Sequence, residues 1–184
     1  MSRADRVVLV GMPGVGKTTV ARILARRLGA RMYDTDRMVE EHCGTSVAQL
    51  IDTCGEERFR GLEEEMVSSA LRAEAPCVIS LGGGAVTSAR TRESLSTGVT
   101  VVWLRARPDT ICRRVGDDGV ERPLLRGDLR RRVEDLDATR RPLYESVADL
   151  VVDVDDLDAE QAADQIVRHL FEGEVPGGGL GVGS

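Results

Sequence analysis

Residues 11–18 read Gly11-Met12-Pro13-Gly14-Val15-Gly16-Lys17-Thr18, which is the pattern G-x-x-x-x-G-K-[ST]. An apolar run, Val7-Val8-Leu9-Val10, precedes it, and residues 19–28 follow with a helical pattern. A buried strand must therefore turn sharply into a helix, with glycines at the turn so that backbone N–H groups face an anion. The helix N-terminus adds its own preference for negative charge. Lys17 is the one lysine among the 25 Lys and Arg residues. A compact ammonium on a flexible stem reaches β/γ phosphate oxygens in a way that a planar guanidinium does not. Thr18 offers a hydroxyl suited to Mg²⁺. These residues describe a nucleoside triphosphate site within an α/β fold.

The rest of the chain is consistent with one compact unit. Its 184 residues suffice for a single domain with a substantial core, expected over 1–172, and 173–184 has the Gly-rich composition of a flexible tail. A net charge of −6 argues against a nucleic-acid surface. Cys43, Cys54, Cys77 and Cys112 are scattered, which suggests neither a zinc site nor a disulfide framework and fits a reducing compartment. Neither a signal peptide nor a membrane-spanning run is legible, so a cytoplasmic location without membrane partners is expected.

Short β-branched runs alternate with helical patterns, the signature of a parallel sheet with helices on both faces. Strands are expected at 7–10, 31–33, 77–81, 100–104 and 149–154. Helices are expected at 19–28, 48–52, 58–72, 90–96, 108–115, 129–147 and 159–171. Residues 116–128 fit neither pattern and carry Arg122 and Arg126 among glycines and acids. They read as a lid over phosphates or as a plain surface loop.

Ligands in such sheets bind outside the carboxyl ends of the strands. Asp34-Thr35-Asp36 lies at one such end. If the backbone stays extended there, both carboxylates face one cleft. One would then hold water around Mg²⁺ and the other would contact a phosphoryl acceptor. Alternatively, Asp36 caps a helix covering Met38-Val39-Glu40-Glu41. Gly82-Gly83-Gly84, after the strand at 77–81, permits close approach of a ligand to the backbone, or simply a tight turn. Arg60, Arg122 and Arg140 have the fork that recognises carboxylates and phosphates. In so Arg-rich a chain, position alone does not separate them from ordinary surface charges.

Taken together, these motifs resemble the shikimate kinase family over about residues 7–170. The matching pieces are the phosphate loop, Asp34-Thr35-Asp36, Gly55-Glu56-Glu57-Arg58-Phe59-Arg60, the stretch from Ser80 to Val86, Arg122-Pro123-Leu124-Leu125 and Arg140-Arg141-Pro142-Leu143-Tyr144. The resemblance implies a P-loop kinase with a five-stranded parallel sheet, a lid and a substrate-binding helical region, acting as a monomer. The reaction implied is ATP-dependent phosphorylation of the shikimate 3-hydroxyl, on the route to chorismate and the aromatic amino acids. It also implies roles. Gly14, Val15, Gly16, Lys17, Thr18 and Thr19 would hold the ATP phosphates. Thr18 would bind Mg²⁺ directly, and Asp34 would do so through water. Asp36 would hold substrate hydroxyls and accept a proton. Arg60, Arg140 and the Gly82, Gly83 and Gly84 backbone would bind shikimate. Arg122 would reach the transferring phosphate, and Arg114 would lie near the adenine. The chain departs from the family pattern in the acidic run Asp153-Val154-Asp155-Asp156-Leu157-Asp158, in Ile51 and in Gly61. The nearest rivals on the same scaffold are gluconate and nucleoside monophosphate kinases.

Overall fold

In a computed structural model, residues 5–117 and 128–172 are described. Five strands, β1 (Arg6–Val10), β2 (Arg31–Asp34), β3 (Cys77–Ser80), β4 (Thr100–Arg105) and β5 (Leu150–Asp153), form one sheet in the order β2-β3-β1-β4-β5. Every neighbouring pair is parallel. Val7, Val8, Leu9 and Val10 are almost fully buried, as expected of a central strand covered on both faces. The helices are α1 (Lys17–Leu28), α2 (Thr35–Cys43), α3 (Val47–Cys54), α4 (Glu56–Leu71), α5 (Ala89–Ser94), α6 (Pro108–Asp117), α7 (Leu129–Val147) and α8 (Ala159–Glu172). A 3-10 turn occupies Ala85–Thr87. Among the described residues, no helix is long and apolar enough to cross a membrane.

All five expected strands are present to within one or two residues at their ends. The main difference is α2. The chain does not stay extended past Asp34, because the Asp34 carboxylate accepts the Arg37 N–H at 3.3 Å and caps a helix that starts at Thr35. Asp36 thus sits in the first helical turn, and the cap is Asp34 rather than Asp36. Residues Gly116 and Asp117, expected in the lid, belong to α6, and Asp128 is the N-cap of α7. The remainder of that segment, Arg122 and Arg126 included, and the expected tail lie outside the described residues.

Two apolar clusters divide the work. The larger one joins both faces of the sheet to α1, α6, α7 and α8. A smaller one, Val39, Leu50, Phe59 and Leu62, packs α2, α3 and α4 against one another. That second core sets α2 and α4 as a rigid wall beside the carboxyl ends of β1, β2 and β3.

Candidate active site

Beyond β1 the chain turns at Gly14 (φ 84°) and Gly16 (φ 98°), a region open to glycine and strained for other residues. A methyl group at Gly14 would also strike the Val115 side chain on α6, at 2.5 Å. Gly16 leads directly into α1, so Lys17 and Thr18 occupy its first turn. The buried Lys17 ammonium donates to the carbonyls of Gly11 at 2.8 Å and Met12 at 3.0 Å, which folds it over its own loop. Thr18 Oγ1 donates to Asp34 Oδ2 at 2.7 Å, bringing α1 and the end of β2 together.

One cavity of about 1050 Å³ runs from this loop to α2, α3 and α4. Of the residues singled out from sequence, Gly14, Gly16, Lys17, Thr18, Thr19, Asp34, Asp36, Arg60, Gly83, Gly84 and Arg140 line it. Ile51 is on the same wall. Val15, Gly82 and Arg114 do not line it. The Gly82 N–H donates to the buried Thr35 hydroxyl at 2.9 Å, and a methyl group there would collide with the carboxylates of Asp36 and Glu63. Arg114 is tied to backbone carbonyls instead: Val15 at 3.1 Å, Val154 at 2.6 Å and Leu157 at 3.4 Å. It clamps the phosphate loop to the connection between β5 and α8. Three acids of the run there have local partners. Asp153 pairs with Arg105, Asp155 accepts the Arg107 N–H, and Asp158 caps α8.

The acid cluster sets the electrostatics. Burial pushes the Asp36 carboxyl up to about 7, with the negative charges of Glu63, Asp34 and Glu40 adding to the effect and Lys17 opposing it. Glu63, nearly inaccessible on α4, is also raised by burial, against the pull of Arg60 and Arg140. It accepts Arg60 Nη1 at 2.6 Å, while Glu56 accepts Nη2 at 2.9 Å, so two carboxylates aim this one guanidinium. Arg140 is 3% exposed, and among the described residues its Nη1 has no hydrogen-bond partner. Arg140 lines the cavity, and a buried cation there calls for an anionic partner.

Glu63 and Thr35 are the site residues that sequence reasoning missed. Glu63 stands three residues after Arg60, on the same helix face. Among 31 acidic residues that spacing alone carries no distinguishing signal. Thr35 becomes informative only once its hydroxyl is seen to hold Gly82.

Among the described residues no group of three or more His, Cys, Asp or Glu could hold a metal by itself. The Thr18 hydroxyl and the Asp34 carboxylate do form a pair of hard oxygens beside the phosphate loop. That is the sparse protein donor set typical of Mg²⁺ bound chiefly through phosphates and water.

Comparisons with known proteins agree with this geometry. A family model described as shikimate kinase matches residues 13–171. The shikimate kinase of Thermobifida fusca is 44% identical over 170 residues, covering 92% of this chain and 97% of that protein. That of Mycobacterium bovis (strain BCG / Pasteur 1173P2) is 44% identical over 169 residues, covering 91% and 92%. Among solved structures, a shikimate kinase from Acinetobacter baumannii in complex with shikimate aligns with a TM-score of 0.89 at 31% identity, covering 94% of this chain and 96% of that one. The shikimate kinase of Aquifex aeolicus aligns with a TM-score of 0.79 at 31% identity, covering 94% and 99%.

Proposed function

The chain belongs to the shikimate kinase family, and from that premise we propose which of its residues carry the reaction. The activity is transfer of the ATP γ-phosphoryl group to the 3-hydroxyl of shikimate, giving ADP and shikimate 3-phosphate on the route to aromatic amino acids. The observation that carries the residue assignment is the buried Arg140, on the wall of a cavity that the phosphate loop also lines. A triphosphate held at Lys17 leaves the far end of the cavity for a carboxylate, and Arg140 and Arg60 are the donors there.

Phosphoryl transfer has a loose transition state, so positioning and neutralisation of charge dominate over strong base catalysis. The phosphate loop from Gly14 to Thr19 orients the triphosphate, and the Lys17 ammonium leaves its carbonyl partners for the β/γ oxygens. Thr18 directly, and Asp34 through water, would hold Mg²⁺, which draws charge off those oxygens when bound. Arg122, on the proposed lid, neutralises the group in transit, and lid closure keeps water from acting as acceptor. Arg114 supports the nucleotide end by bracing Val15 against the connection between β5 and α8. At the acceptor end, Arg60 and Arg140 grip the carboxylate, and Gly83 and Gly84 present backbone next to them. Asp36 accepts a hydrogen bond from the 3-hydroxyl and takes its proton as the new P–O bond forms and the bond to ADP breaks. A carboxylate held near 7 is matched to that proton, because its basicity lies close to the working pH. We assign the reaction to a cytoplasmic monomer.

The test is ADP release with ATP and Mg²⁺, comparing shikimate, gluconate and nucleoside monophosphates as acceptors. Strong stimulation by shikimate alone is expected. Absence of stimulation by shikimate refutes the assignment of the acceptor end.

A further inference from the structure

Tyr144 does not line the cavity, yet the acceptor wall leans on it. Its side chain is fully buried, stacks on Trp103 with ring centroids 5.7 Å apart, and donates its hydroxyl to the Gly83 carbonyl at 2.5 Å. Burial raises the ionisation of this phenol far above its ordinary value, against the nearby Arg140 charge, so the oxygen keeps its proton. The Gly83 carbonyl and the Gly84 N–H belong to one planar trans peptide and point in opposite directions. With the carbonyl drawn back to Tyr144, the N–H points away from that ring, and both glycines line the cavity. Among the described residues that N–H has no hydrogen-bond partner. Gly84 lies directly against the Arg60 guanidinium. Arg140 stands four residues before Tyr144 on α7, on the same face of the helix.

We propose that Tyr144 is a positioning residue that acts through the peptide between Gly83 and Gly84, aiming the Gly84 N–H at the acceptor carboxylate beside Arg60 and Arg140. The inference rests on the assignment of that end of the cavity to shikimate. Helix α7 then supplies one carboxylate donor itself and orients a second through the glycine loop. The anchor extends to the nucleotide half as well. Trp103 is the register partner of Val10, the last residue of β1 before the phosphate loop, and a methyl group at Gly83 would press on Pro13 of that loop. Both loops are thereby referenced to the same central strands.

Tyr144→Phe retains the ring and its stacking and removes one oxygen. In steady-state assays with ATP and Mg²⁺, the KM for shikimate is expected to rise about fivefold to tenfold, the loss of one well-placed hydrogen bond. A contact remote from the transferred group serves the ground state and the transition state alike, so kcat and the KM for ATP should stay within about twofold. In the ¹⁵N-labelled protein, the Gly84 amide resonance should move in the variant and lose most of its response to shikimate. The response of the phosphate-loop amides to ATP should persist. An unchanged shikimate KM in the variant, with normal turnover of shikimate by the unmodified chain, overturns the role of Tyr144 alone. So does an equal rise of both KM values with a lowered Tm, the mark of a purely structural role. If the unmodified chain does not turn over shikimate, the acceptor assignment fails, and this proposal fails with it.

Discussion

Replacing Asp36 by asparagine should stabilise the fold while abolishing transfer. The carboxyl ordinarily ionises near 3.8 and is held at about 7 in the folded chain, first by burial and then by the charges of Glu63 and Asp34. Keeping it ionised at higher pH therefore costs the folded state roughly 4 kcal/mol. Asp36 keeps some contact with water, and screening reduces this to about 2–4 kcal/mol. Because the folded-state value is the raised one, the stability is fully present below pH 3.8 and is lost as the pH climbs through 7. Asparagine has the shape of the protonated acid and does not ionise. The variant should match the parent near pH 4 and exceed it increasingly up to about pH 8, where the gain corresponds to roughly 5–15 °C in Tm for a chain of this size. The measurement is thermal unfolding of both proteins across that range, together with turnover of shikimate, which should fall about 10²-fold or more. Parallel Tm curves across pH, or a variant less stable than its parent at pH 8, would rule out a raised Asp36 carboxyl. Either result would mean that the cluster of Asp36, Glu63 and Asp34 does not oppose ionisation of Asp36.

Two further outcomes follow from the same geometry. Arg140→Ala removes a buried guanidinium that lines the cavity. It should raise the KM for shikimate by about 30-fold or more, the cost of truncating one member of a buried charged pair, while the KM for ATP changes by less than about threefold; equal losses for both substrates would reassign the residue. Asp34→Asn retains an N-cap for α2 and removes the negative charge beside Thr18. The Mg²⁺ concentration giving half-maximal rate should rise about tenfold, as expected for loss of a charged outer contact. The Tm should stay nearly constant, and a large fall in Tm would show the carboxylate to be chiefly structural.

The sheet and the phosphate loop were legible in the chain because their signals are local. Runs such as Val7 to Val10 declare a strand buried on both faces, and Gly14, Gly16, Lys17 and Thr18 must be neighbours in sequence to be neighbours around a phosphate. Asp34, Asp36, Arg60 and Arg140 could be named only through the ordered set of motifs, since each alone is one charge among many. Tertiary structure decided what those charges do. Local capping by Asp34 overrode the extended reading of Asp34-Thr35-Asp36 and turned Asp36 onto α2, where packing of α2 against α4 brings it close to Glu63. That packing buries Asp36 beside Glu63 and drives its carboxyl up to about 7. Folding also ties Arg114 to three carbonyls, buries Arg140 and sets the Tyr144 hydroxyl on Gly83. Burial, charge coupling and orphaned donors arise between segments tens of residues apart, so no window of sequence contains them. The chain alone determined a strand, a loop and a cation for a triphosphate. Only the fold determined which buried charges share a cavity with that loop.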